Sequence, residues 1–177
     1  MIRCESSLFG QMTRWAQAAR GPRTAAHQRD DIALVSFPAM YADLSFTATS
    51  VVSGTDATFA SGTSGGTITA GMPIYIDTSA SNVLKPCDCD ASDLASTVAG
   101  IALHAATTGQ PIKYQTGGNI TYNNCFTAGK AVVASATAGG IALIADLATN
   151  WRTSILGVAL STTSLKMNII NSLTSNA

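Results

Sequence analysis

From Met40 onward, apolar and polar residues alternate or gather in short apolar runs, interrupted by Gly, Asn, Asp or Ser at intervals of roughly eight to twelve residues. A period of two puts successive side chains on opposite faces of an extended chain, so the rhythm predicts half-buried strands rather than helices. The expected strands are Leu44 to Thr47, Ile74 to Asp77, Val98 to Leu103, Ile112 to Thr116, Asn119 to Tyr122, Ala131 to Ser135, Ile155 to Ala159 and Leu165 to Ile170. Many short strands between turn residues define an all-β fold of the sandwich or barrel kind.

The pattern also repeats within the chain. Thr69-Ala70-Gly71 leads into one apolar strand and Thr127-Ala128-Gly129 into another. After the first come Asp93-Leu94-Ala95-Ser96 and Gly100-Ile101-Ala102-Leu103; after the second come Asp146-Leu147-Ala148-Thr149 and Gly157-Val158-Ala159-Leu160. Each copy ends in an alternating strand, Ile112-Lys113-Tyr114 in one and Leu165-Lys166-Met167-Asn168-Ile169 in the other. The expectation is an internally duplicated β unit: glycine hinge, strand, polar turn, Asp-Leu-Ala corner, Gly-led buried strand, turn, alternating strand. Two such units can close their apolar faces on each other as one barrel-like core. Each corner Asp is placed to cap a single helical turn.

Two segments precede this core, which is expected over residues 67–177. Residues 1–39 read as an N-terminal arm with a short helix, since Ser6 or Ser7 stands before Leu8, Met12, Trp15 and Ala19, and Gly21-Pro22 ends the run. Three readings stand open: a basic arm that docks on a partner, a disordered leader, or an upstream start codon with the working protein beginning at Met40. Residues 40–66 read as an extended segment. Its part from Val51 to Gly66 is rich in Gly, Ser and Thr and forms a loop or edge strand that stays solvated unless a neighbouring chain covers it.

Composition sharpens this picture. Of the 177 residues 46% are hydrophobic, enough for a core, while only 11% are charged. The surface is therefore largely hydroxyl and backbone, which suits lateral packing against other subunits. Arg3, Arg14, Arg20, Arg23 and Arg29 crowd the first segment, and later cations are scattered, which argues against a nucleic-acid stripe. No apolar run reaches the roughly 18 residues of a membrane span. Cys4, Cys87, Cys89 and Cys125 are sparse and read as free thiols of a reducing cytoplasm.

The chemistry-bearing residues do not converge on a reaction. His104 follows a strand and reads as a surface or interface residue, and no Gly-x-Ser-x-Gly elbow or phosphate loop is present. Cys87-Asp88-Cys89-Asp90 lacks the paired ligand clusters of zinc, and Asp93 and Ala99 stand where a calcium loop needs Gly and Glu; the segment is expected to be a solvated turn. Glu5 is the lone glutamate, and Asp77 and Asp146 sit where turns need caps. The expectation is no enzyme, no metal, no cofactor and no small-molecule substrate.

Met72-Pro73-Ile74-Tyr75-Ile76-Asp77, Val83-Leu84, Val98-Ala99-Gly100-Ile101-Ala102 and Lys113-Tyr114-Gln115-Thr116-Gly117-Gly118 resemble, in strand order and turn residues, the tailed-phage head decoration (capsid cement) proteins. The opening MYADLSFTATSVV, Met40 to Val52, resembles the beginning of such proteins, and the likeness covers about Met40 to Asn171. The resemblance implies a β-tulip-like domain, a homotrimer on the outer surface of a virion, and the major capsid protein as partner. It also implies synthesis in the host cytoplasm and a segment, here Ser45 to Gly66, that orders on contact with the shell.

A low-charge, Thr/Ser-rich extended segment independently fits β-augmentation, and many weak copies on a lattice gain by multivalency. The candidate capsid or subunit contacts are Phe46, Val51, Val52 and Phe59 in the segment, and Trp151 before the second Gly-led strand, with core packing the alternative for the aromatics. The competing function is a phage fibre or adhesin module that binds host-surface glycans.

Overall fold

The computed structural model describes residues 42–175. The expected arm of residues 1–39, its helix, His27 and Met40 lie outside the described residues. The fold is nearly all β, with strands β1 (Val52–Ser53), β2 (Thr58–Thr63), β3 (Pro73–Asp77), β4 (Val83–Pro86), β5 (Gly100–Ala102) and β6 (Pro111–Thr121) in the first part. Strands β7 (Ala131–Ala134), β8 (Ile141–Leu143), β9 (Arg152–Ala159) and β10 (Ser164–Ser175) complete it. Two single 3-10 turns, Ala48–Ser50 and Ile144–Asp146, are the helical content of the described residues.

The strands form a curled antiparallel sheet, a half-barrel, in the order β4-β3-β5-β6-β10-β9-β7-β8, with β1 and β2 added on β6. The order reads alike from both ends. Each side is a hairpin, then a strand on the hairpin's first member, then a long strand, and the two long strands pair at the centre.

Hydrogen bonds match across the two sides. The Gly71 N–H donates to the Ala102 carbonyl and the Ala102 N–H to the Met72 carbonyl, at 2.8 and 2.9 Å. The Gly129 N–H donates to the Ala159 carbonyl and the Ala159 N–H to the Lys130 carbonyl, again at 2.8 and 2.9 Å. Both hinge glycines hold positive φ, 91° and 76°, which glycine adopts without steric cost. The registers agree as well: Ile74 lies opposite Gly100 as Val132 lies opposite Gly157, and Ala102 opposite Tyr114 as Ala159 opposite Leu165.

Several expectations are corrected. Leu44 to Thr47 is not a strand; it runs extended into the first 3-10 turn. The expected break at Gly117-Gly118 is a bend inside one continuous strand, β6. β4 ends in Pro86, a residue that reads as a turn signal but is tolerated at the sheet's edge. Within Ser45 to Gly66, Val52–Ser53 and Thr58–Thr63 pair with β6, and β2 is the edge strand that the sequence offers as one reading of Val51 to Gly66.

The corners differ too. In the first, Ser92 Oγ accepts the Ala95 N–H, so the cap is one residue before Asp93. In the second, Asp146 closes the 3-10 turn and Leu143 stands at its start without a side-chain cap. The Cys87 to Asp90 segment is a solvated turn only in part: a turn starts at Cys89 and Asp90 is exposed, but Cys87 and Cys89 are fully buried and Asp88 is half-buried.

The bend in β6 decides how the halves stack. Tyr114 and Ile120, six residues apart, would share one face of an unbroken strand. Here the register slips between Thr58 opposite Gly117 and Phe59 opposite Gln115, and Gly118 adopts φ 85°. A Cβ on Gly118 would lie 2.4 Å from the Asp56 carbonyl oxygen, so only glycine fits the bend.

Beyond the bend the face reverses. Tyr114 therefore joins Ile68, Ile74, Leu84, Ala102, Ala106 and Ile112 in a smaller core. Ile120 joins a larger one with Tyr122, Phe126, Val132, Ala134, Ile141, Leu156 and Leu165. That larger core also takes Cys87, Val98 and Ile101 from the first half, so the matched face of the second half rests on the opposite face of the first.

Candidate functional site

β2 carries the sequence TFASGT, whose hydroxyls and small side chains tolerate an edge position. It pairs with β6 along one side, from Thr58 opposite Gly117 to Thr63 opposite Pro111. On its other side only its end meets a neighbour, where Ser64 bridges Leu84 and the Gly65 N–H donates to the Leu84 carbonyl at 2.8 Å. Gly62 permits this approach, since a Cβ there would stand 2.7 Å from the Leu84 side chain.

Beside this edge lies a half-open groove of about 590 Å³, lined by Ile76, Leu84, Leu94, Ala99 and Tyr114 with Ser61, Thr78, Asn82 and Thr97 as polar members. Its volume is in the range of ordinary ligand sites at barrel mouths. The lining has hydroxyls and an amide but no carboxylate, imidazole, amine or guanidinium. Such a surface can bind an apolar shape and orient it by hydrogen bonds.

The ionisable groups nearby are engaged in structure. Asp77 accepts the Ser79 N–H and hydroxyl at 3.0 and 2.6 Å and pairs with the Lys85 ammonium at 2.8 Å. The Lys85 hydrogen bond, then Ser79, hold its carboxyl down to about 2. His104 is exposed; its Nδ1–H donates to the Ala105 carbonyl and its Nε2 accepts the Lys113 N–H, each at 3.0 Å, which one neutral tautomer satisfies. Burial pushes the Cys87 thiol well up and the Cys89 thiol up to about 12, so neither is a thiolate near neutral pH. Among the described residues no group of three or more His, Cys, Asp or Glu side chains is placed to hold a metal. Cys87, Cys89 and Cys125 are free.

The five expected contact residues fall into two sets. Phe46 packs edge-on to Tyr122 with ring centroids 5.3 Å apart, and Phe46 and Val51 meet over Gly71, so both belong to the margin of the larger core. Val52 and Phe59 point outward from β1 and β2, and the Lys113 ammonium stands 4.0 Å over the Phe59 ring. Trp151 is half-buried before β9, apart from both sets in the chain.

The groove residues escaped the sequence reading, because they come from β2, β3, β4, β6 and two turns. Val158 and Leu160 are a different case: they copy Ile101 and Leu103 and read as buried, yet both are exposed. No protein-family model matches the chain, and no curated protein matches its sequence.

Proposed function

We propose that this chain is a structural virion protein, a decoration or cement subunit that binds the outer surface of a phage capsid and stabilises the shell by bridging capsomers. In this reading it is a β-tulip-like body built from a duplicated unit, it assembles as a homotrimer, and its partner is the major capsid protein. The matched hinge bonds and registers of the two sides support the duplication.

One observation carries the capsid-binding reading: the hydroxyl-rich segment forms an edge strand, β2, beside outward Phe59 and Val52, a surface suited to gripping a neighbouring sheet. The largely apolar groove, with hydroxyls and one amide as its polar groups, supports a binding role.

The test is to add purified protein to undecorated expanded shells. Co-sedimentation together with increased resistance of the shells to heat supports the proposal, and the absence of both refutes it. Binding to glycans, with labelling confined to the tail or vertices, favours the fibre or adhesin reading instead.

A further inference from the structure

The two halves meet through unlike faces; the second half leaves its counterpart of that joint uncovered, and the first leaves its own open only at the groove. Across the first half runs the row Gln115, Ile101, Pro73, Cys87: Ile101 lies opposite Gln115 and Pro73, and the Cys87 N–H donates to the Pro73 carbonyl at 2.9 Å. The whole row is buried, with Ile101 and Cys87 inside the core shared with the second half.

The matching row across the second half is Lys166, Val158, Ala131, Ile144. Val158 lies opposite Lys166 and Ala131, and Ile144 follows Leu143, the partner of Val132. This row is open: Val158 is 45% exposed and Ile144 40%, against 0% for Ile101 and Cys87. Leu160, two residues beyond Val158, is 57% exposed.

The other side of the joint shows the complement. In the second half the matched face is sealed, with Ala134 and Ile141 at 0% exposure. In the first half the corresponding pair, Ile76 and Leu84, lines the groove with Tyr114; Ile76 is 37% exposed, while Leu84 and Tyr114 are buried against the smaller core.

We infer that copies of this chain associate head to tail, the Val158, Leu160 and Ile144 patch of one seating in the groove of the next at Ile76, Leu84 and Tyr114. The joint between copies repeats the joint between halves. Contacts of this heterologous kind form closed rings when the rotation closes, so the proposal supplies surfaces for the self-association in the reading above, and it rests on the duplication in that reading. It makes no use of capsid binding.

The experiment is mass measurement in solution, by sedimentation velocity at up to about 100 µM, a range in which even a weak joint is populated. Wild-type protein is expected as an oligomer. Val158→Asp disables the patch and Ile76→Asp the groove, so each variant alone is expected to be a monomer. Mixed in equal amounts they are expected to form a dimer that grows no further, because one intact patch meets one intact groove. Unchanged far-UV circular dichroism checks folding, and Leu160→Asp serves in place of Val158→Asp if that variant is misfolded. Monomeric wild-type protein, variants that assemble like wild type, or a mixture that stays monomeric would each overturn the inference. The assay contains no shells, so it can fail while decoration stands, and shell binding can fail while head-to-tail assembly stands.

Discussion

Gly157 lies so close to Lys166 that a Cβ on the glycine would stand 2.0 Å from the lysine's carbonyl oxygen. Gly100 has the same relation to Gln115 in the first half, at 2.5 Å. At Gly157 backbone alone blocks the added methyl, and at Gly100 the Tyr114 ring stands as close as the Gln115 carbonyl oxygen, at 2.5 Å. Gly157→Ala and Gly100→Ala are each expected to destabilise the fold by about 1–3 kcal/mol, since the ladder must shift to admit it. Urea denaturation midpoints check this, and an unchanged midpoint would mean that the strands do not approach as described.

Tyr122 is buried in the larger core and its hydroxyl donates to the Gly71 carbonyl at 2.8 Å, tying the central strand to the first hinge. Tyr122→Phe keeps the ring and removes the donor, leaving the carbonyl short of a partner. The expected cost is about 1–3 kcal/mol, read from the same denaturation curves.

The fold is expected to lose stability in acid partly through Asp77. Its carboxyl lies at about 2 in the folded chain, below the ordinary 3.8. A depressed carboxylate stabilises the fold fully above the unfolded value, and that contribution disappears as pH falls from about 4 through about 2. Thermal melts across this interval check it: Asp77→Asn should show a smaller decline than wild type, and identical declines would count against the Asp77–Lys85–Ser79 arrangement.

Cys87 and Cys89 are fully buried with thiols pushed upward, so alkylation of the native protein near pH 8 is expected to leave both unmodified. In denaturant both should label. Mass spectrometry of the peptides distinguishes the two states, and rapid native labelling of Cys89 would mean that the segment is open to solvent.

The strand rhythm was legible wherever local chemistry determined it. The Gly71 and Gly129 hinges, the Gly100 and Gly157 strands and their order follow from residues a short distance apart, and the structure has strands β3, β5, β7 and β9 near them. Pro86 hid β4, because the same residue signals a turn or suits an edge, and only the sheet order distinguishes the two. Gly117-Gly118 looked like a break because glycine marks bends and ends alike. The groove was not legible, since Ser61, Ile76, Leu94 and Tyr114 meet only after the sheet curls. Nor was the exposure of Val158 and Leu160, because a strand that copies a buried one carries the same local signal whether or not another layer covers it.

The proposed capsid role is tested most directly by a cryo-electron microscopic reconstruction of virions from a phage whose genome encodes this protein. The account predicts density for the β body on the outside of the shell at threefold or quasi-threefold positions, touching neighbouring capsomers. A shell without that density, or the protein located only on the tail or its fibres, would contradict it.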